Sequence, residues 1–176
     1  MTSPTAIDLR AYIRDIPDFP KPGIVFKDIS PLLKDPQAFK ACIDRMVQQF
    51  KALKVDYVVG IESRGFIIGA PLAHQLGVGF VPIRKPGKLP YQTEKIEYTL
   101  EYGSGSLEIH ADALAAGQRI LVVDDLLATG GTVAATRQLI ERLGGHVVGV
   151  GFVVELSFLN GRERLSGLDT HSLITY

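Results

Sequence analysis

A chain of 176 residues fits one domain and is long enough to bury a proper core; 46% of it is hydrophobic by type, yet no apolar run reaches the ~18 residues of a membrane-spanning helix. Cys42 stands alone, which excludes an internal disulfide and a cysteine zinc cluster. Nineteen basic residues balance nineteen acidic ones, without the basic surplus of a nucleic-acid binder, and the N-terminal Met-Thr-Ser-Pro-Thr-Ala lacks the marks of a secretory signal, so a cytoplasmic protein with no membrane and no nucleic-acid partner is expected.

Ser3-Pro4 predicts a helix start, with the helix running to about Arg14. Asp35-Pro36 predicts a second helix, along which Phe39, Cys42, Ile43, Met46, Val47, Phe50 and Leu53 recur on one face, so Cys42 reads as core. β-Branched runs predict buried strands over 55–61, 78–83 and 119–123, with helices over 65–76 and 132–143. A further strand is expected over 146–154 and a short last one over 172–176. Strands alternating with helices argue for a parallel α/β sheet.

Residues 95–102 break that rhythm. Ile96, Tyr98, Leu100 and Tyr102 alternate with Lys95, Glu97, Thr99 and Glu101, the period of a half-exposed strand. Gly103-Ser104-Gly105-Ser106 predicts the turn, after which residues 107–110 pair back. Residues 86–106 are expected to form a mobile flap with hairpin character.

The chemistry concentrates in "LVVDDLLATGGT" (121–132). Asp124 and Asp125 fall at a strand's carboxyl end, where α/β sheets bind ligands. Adjacent strand residues point to opposite sides, which suits carboxylates that accept from separate hydroxyls better than a shared-proton pair. Next, Ala128-Thr129-Gly130-Gly131-Thr132 offers backbone N–H groups at a helix start, a natural anion site. Hydroxyls on one side and a phosphate on the other describe a ribose 5-phosphate. A Walker A loop is excluded, since no lysine precedes the Ser/Thr, and a dinucleotide fingerprint would have its glycines first.

With these residues in hand, the sequence resembles the type I phosphoribosyltransferases, whose signature it carries as "VVDDLLATGGT" (122–132). Further matches narrow the resemblance to the members that use adenine: "FPKPGIVFKDISPLLKDP" (19–36), "GIESRGFIIGAPLA" (60–73), "IRKPGKLP" (83–90), "LEYGSGSLEIH" (100–110) and "VVEL" (153–156). The resemblance implies a single phosphoribosyltransferase domain with a parallel five-stranded core sheet flanked by helices. It also implies a flexible hairpin flap (about 86–106) and a small N-terminal hood (about 1–34). The implied reaction is transfer of ribose 5-phosphate from 5-phosphoribosyl 1-pyrophosphate (PRPP) to adenine, giving AMP and pyrophosphate. Mg²⁺ is expected to travel on PRPP, with no metal-binding residue named, and a homodimer is the expected assembly.

The resemblance also implies roles. Asp124 and Asp125 would hold the ribose hydroxyls, and residues 128–132 the 5′-phosphate. Glu62, Ser63 and Arg64 would form the pyrophosphate loop, with a cis peptide between Glu62 and Ser63 and with Arg64 on the leaving group. Arg84, Lys85 and Lys88 form the chain's one local basic cluster and would stabilise the departing charge. Glu101 would manage the base's proton, with Tyr102 closing over the site. Backbone groups of Val25, Phe26 and Lys27 would meet the base, and Phe26 and Leu156 would sandwich the ring; arginine is frequent in the family where Lys27 stands. The rival readings are a PRPP-binding regulator and an enzyme for another purine base. A regulator would be expected to show a basic surplus and a segment for a separate reader domain, so the enzyme is the expected reading.

Overall fold

Two compact units, divided between Arg45 and Met46, make up the chain. The computed structural model describes residues 7–100 and 103–176. In the first unit, Asp8 caps a 3-10 turn, Leu9–Tyr12, by accepting from the Arg10 N–H. Strand β1 (Arg14–Pro17) pairs antiparallel with β2 (Val25–Asp28). The helix expected to reach Arg14 is thereby corrected in its described part. Asp8 supplies the cap, and pairing across the ribbon takes Arg14 as a strand residue.

The ribbon is fixed by its own charges. Asp28 accepts from the Ser30 hydroxyl at 2.6 Å, the Ser30 N–H at 2.9 Å and Arg14 Nη2 at 2.6 Å. The Ser30 hydroxyl foremost, with Arg14, overcomes partial burial and lowers the Asp28 carboxyl to about 2. Lys27 Nζ lies 2.7 Å from Asp15 Oδ1 across the ribbon. A short helix α1 (Ser30–Lys34) leads to α2 (Pro36–Phe50), whose first turn donates from the N–H groups of Gln37 and Ala38 to Asp35 Oδ1. Cys42 is fully buried there, and burial pushes its thiol up to about 12, which makes it an inert core residue.

The second unit is built on β3 (Tyr57–Ile61), α3 (Arg64–Leu76), β4 (Gly79–Ile83), β5 (Thr93–Leu100), β6 (Gly103–His110), β7 (Arg119–Leu127), α4 (Gly131–Arg142), β8 (His146–Glu155) and β9 (Thr170–Thr175). Its sheet is parallel throughout, in the order β4-β3-β7-β8-β9. The chain leaves β3 toward β4 on one side and returns on the other with β7. The carboxyl ends of β3 and β7 therefore meet at the switch point, where such sheets form a crevice.

Strand alternation sorts the core. Val59, Ile61, Ile83, Ile120, Val122 and Phe152 share one cluster with Ile96, Leu107 and Ile109 of β5 and β6 and with Val133, Leu139 and Ile140 of α4. Phe80, one position from Val81, meets Phe66 of α3 edge-on at 5.8 Å. β5 and β6 form the expected hairpin, but paired from Thr93↔His110 to Leu100↔Gly103. Residues 103–106 are corrected from turn to strand: Gly105 stands opposite Tyr98 and Ser106 opposite Glu97. No described helix is long and apolar enough to cross a membrane.

Candidate active site

At the switch point lies a cavity of about 830 Å³ within the second unit, lined by the ends of β3 and β7, the start of α4 and the hairpin. β7 runs four residues past the expected end, because Leu126 and Leu127 continue the pairing against Val154 and Glu155. Alternation persists through the acids: Asp125 is buried and Asp124 is half-buried. Asp124 Oδ1 accepts the Asp125 N–H at 2.9 Å.

Although part of its surface opens to the cavity, Asp124 is strongly desolvated, and this burial, joined by the charge of Asp125, raises its pKa well above the ordinary carboxylate value against the pull of Arg64. The two groups thus sense each other more than strand alternation predicts. Arg64 Nε stands 2.5 Å from Asp125 Oδ2, an ion-pair contact. Asp125 Oδ2 is buried and has no hydrogen-bond partner besides that charge. A buried acceptor with a spare lone pair, facing a cavity, is suited to a hydroxyl donor.

The loop after β7 supplies the donors. Gly130 takes φ +79° and caps α4, whose first backbone bond runs from the Ala134 N–H to the Gly130 carbonyl. The N–H groups at the helix's first turn are thereby left for a ligand. A second segment backs this loop: a Cβ on Gly130 would lie 2.5 Å from the Gly161 carbonyl oxygen, and one on Gly161 would collide with that of Ala128. Beside Gly161, Arg162 grips Glu155 at the end of β8 with two bonds of 2.7 Å and donates to the Thr170 carbonyl at 2.8 Å. The Arg162 bonds outweigh burial and hold the Glu155 carboxyl below its usual range.

Across the crevice, the turn after β3 is arranged differently. The Glu62–Ser63 peptide is cis, as expected, and Ser63 and Arg64 lead into α3. Glu62 Oε2 accepts from the Lys85 N–H at 2.9 Å and from Arg84 Nε at 3.2 Å. Burial alone would raise its pKa; those two bonds and both cationic charges win and lower it. Arg84 also donates to the Lys88 carbonyl at 3.0 Å and lies 6.0 Å from the Phe66 ring centre. Its guanidinium therefore shapes the 84–88 turn.

Of the residues singled out from sequence, Glu62, Ser63, Arg64, Lys85, Asp124, Asp125 and all five of 128–132 line the cavity. Arg84 and Lys88 stand behind Lys85, outside the lining. Leu156 follows β8 and donates its N–H to the Leu127 carbonyl at 2.9 Å, also outside the lining. Val25, Phe26 and Lys27 form β2 of the first unit, where Phe26 meets Phe19 edge-on at 5.3 Å. Glu101 and Tyr102 lie outside the described residues. Sequence reasoning missed Tyr98, Ser106 and Leu127 as lining residues, and it missed the Glu155–Arg162 pair. For Tyr98 the signal was present, since the period-two pattern puts it on the face of Ile96.

Comparison with known proteins bears on this arrangement. The family model for the phosphoribosyl transferase domain matches residues 28–167. The chain belongs to that family. It is 60% identical over 171 residues to the adenine phosphoribosyltransferase of Gloeobacter violaceus, covering 97% of this chain and 100% of that protein. The crystal structure of adenine phosphoribosyltransferase from Thermoanaerobacter pseudethanolicus is similar with a TM-score of 0.93 at 55% identity, over 96% of this chain and 98% of that one. The enzyme from Trypanosoma brucei, solved with AMP, pyrophosphate and ribose-5-phosphate, gives a TM-score of 0.87 at 26% identity, over 99% of this chain and 82% of that one. The fold is thus that of the type I phosphoribosyltransferases, as the sequence motifs implied.

Proposed function

We propose that this chain transfers ribose 5-phosphate from PRPP to adenine, giving AMP and pyrophosphate. One observation carries the reading: a carboxylate pair, one oxygen of it buried without a hydrogen-bond partner, shares a cavity with a glycine-rich loop of backbone donors. The Gloeobacter and Thermoanaerobacter relatives support adenine as the base.

In this reading Asp124 and Asp125 accept hydrogen bonds from the ribose hydroxyls, and the N–H groups of 128–132 hold the 5′-phosphate. Ser63, Arg64 and Lys85 receive the pyrophosphate, with Arg84 and Lys88 stiffening the turn behind Lys85. The C1–O bond to pyrophosphate breaks as a bond from adenine N9 forms. Positive charge grows on the ring while negative charge leaves, and the cations of Arg64 and Lys85 favour that separation. The ring-nitrogen proton lost in the exchange is handled by Glu101, while Tyr102 closes the site. Base recognition belongs to backbone groups of Val25 and Lys27; the Lys27 ammonium is already engaged by Asp15 within its own ribbon.

The donor set fits a magnesium ion carried by the substrate rather than one caged by protein. Among the described residues no group of three or more His, Cys, Asp or Glu could hold a metal. Asp124 is desolvated and Asp125 has a buried oxygen without a hydrogen bond, and these are the carboxylates such an ion would meet. Magnesium there would supply neutralisation of phosphate charge. A cytoplasmic homodimer completes the proposal, and light scattering of the purified protein tests its assembly.

The experiment is direct: PRPP and magnesium with adenine, hypoxanthine, guanine or xanthine, compared by kcat/KM. Hypoxanthine exchanges donor and acceptor at C6 and N1, and such buried mismatches reject a ligand by about 10⁴–10⁵. Comparable use of hypoxanthine overturns the choice of base. Failure to consume PRPP with any base overturns the transfer itself.

A further inference from the structure

We infer that the Tyr98 hydroxyl belongs to the 5′-phosphate site and that Gly105 lays it there; this rests on the function proposed above. Tyr98 in β5 stands directly opposite Gly105 in β6. A Cβ at Gly105 would lie 2.6 Å from Tyr98 Cζ and 2.8 Å from the hydroxyl oxygen. The missing side chain is therefore the slot in which the phenol lies across the neighbouring strand. The ring packs on the core shared with α4, and both Tyr98 and Gly105 line the cavity.

From that slot the hydroxyl reaches the first turn of α4, ending 3.4 Å from Thr132 Oγ1. An ordinary hydroxyl pair closes to about 2.7–2.8 Å, so the two groups are poorly spent on each other. Each has a proton to give. An anion seated on the loop N–H groups can take both protons, and hydrogen bonds to a charged acceptor are about twice as strong as neutral ones. The strand that carries Tyr98 is anchored at its base. Arg142 Nη1 donates to the Lys95 carbonyl at 3.0 Å, and the Ser106 hydroxyl donates to that of Ile96 at 3.1 Å. The 5′-phosphate is thus bracketed by two elements remote in sequence, the α4 loop and the hairpin.

Calorimetry with AMP and with adenosine, which lacks only the phosphate, isolates this contact. Tyr98→Phe removes one oxygen atom and should weaken AMP by about 10–100-fold while adenosine binding stays within about twofold. KM for PRPP should rise in parallel, with KM for adenine unchanged. Gly105→Ala should displace the ring and produce the same selective loss, adding nothing to it when combined with Tyr98→Phe. AMP affinity at the wild-type level in Tyr98→Phe overturns the inference, and so does an equal loss of AMP and adenosine, which would mark a general disturbance. A wild-type protein that neither binds AMP nor consumes PRPP overturns the transferase reading instead, before any variant is made.

Discussion

Two turns of similar design face each other across the crevice, and they are in opposite electrostatic states. After β3, the acid Glu62 is satisfied by Arg84 and the Lys85 N–H, and its pKa is depressed. After β7, Asp124 is held above the usual carboxylate range, and the buried Asp125 Oδ2 has the charge of Arg64 beside it but no hydrogen bond. The first turn uses its acid to finish the protein. The second leaves its acids with hydrogen-bonding capacity to spare, which the hydroxyls of the proposed substrate would take up. Proximity to a cavity therefore does not by itself make a carboxylate a ligand group; the balance of its partners does.

The largest effect that tests this contrast comes from Asp124→Ala with Asp125→Ala. Losing two charge-assisted acceptors should weaken PRPP by about 10²–10⁴-fold, measured by calorimetry on a variant shown to be folded by circular dichroism. Ordinary PRPP affinity would erase the difference between the turns. Glu62→Gln should instead act through structure: about 1–2 kcal/mol of stability lost in urea unfolding, with KM for PRPP raised by roughly tenfold as Arg84 and the 84–88 turn loosen.

Protons sharpen the contrast further. Hydroxyl donors favour the charged form of Asp124, so PRPP binding should release a fraction of a proton, seen as a buffer-dependent binding enthalpy that Asp124→Asn abolishes. The smallest effect is on stability without ligand. A carboxyl whose pKa is raised on folding loses stability for the fold as pH climbs above the unfolded value of about 3.9. Asp124→Asn escapes that loss. Its melting temperature at neutral pH should exceed wild type by a few degrees, the size of about 1 kcal/mol in a domain of this length, and the gain should vanish below about pH 4. A variant that melts lower at neutral pH would show that Asp124 is as settled as Glu62.

The sheet was legible because its signals are local: β-branched runs for β3, β4, β7 and β8, and helical spacing for α2. The glycine-rich loop that lines the cavity was legible for the same reason, since acid pair and glycines are contiguous. What escaped was decided by partners far along the chain. β7 extends to Leu127 because β8 offers Val154 and Glu155 as neighbours, and nothing in the acid pair announces this. Gly105 reads as a turn residue when taken alone, yet its use is to make room for a ring seven positions earlier. The state of Glu62 depends on Arg84, 22 residues away, and that of Glu155 on Arg162. Toward Arg14 the expected helix gives way to a 3-10 turn and an antiparallel ribbon whose second strand starts only at Val25.

The meeting of Gly130 with Gly161 has a thermodynamic consequence. Ordering a residue's backbone costs roughly 1–2 kcal/mol in entropy, and a mobile phosphate loop would charge that cost against every binding event. Here the Gly161 carbonyl fills the space where a side chain on Gly130 would stand, the Ala128 carbonyl fills the space beside Gly161, and Arg162 next to Gly161 is locked to Glu155. The loop's freedom is consequently surrendered during folding, alongside the core. In the proposed function, an arriving phosphate would meet amides already aimed, and its affinity would reflect the hydrogen bonds it makes rather than what remains after assembling the loop.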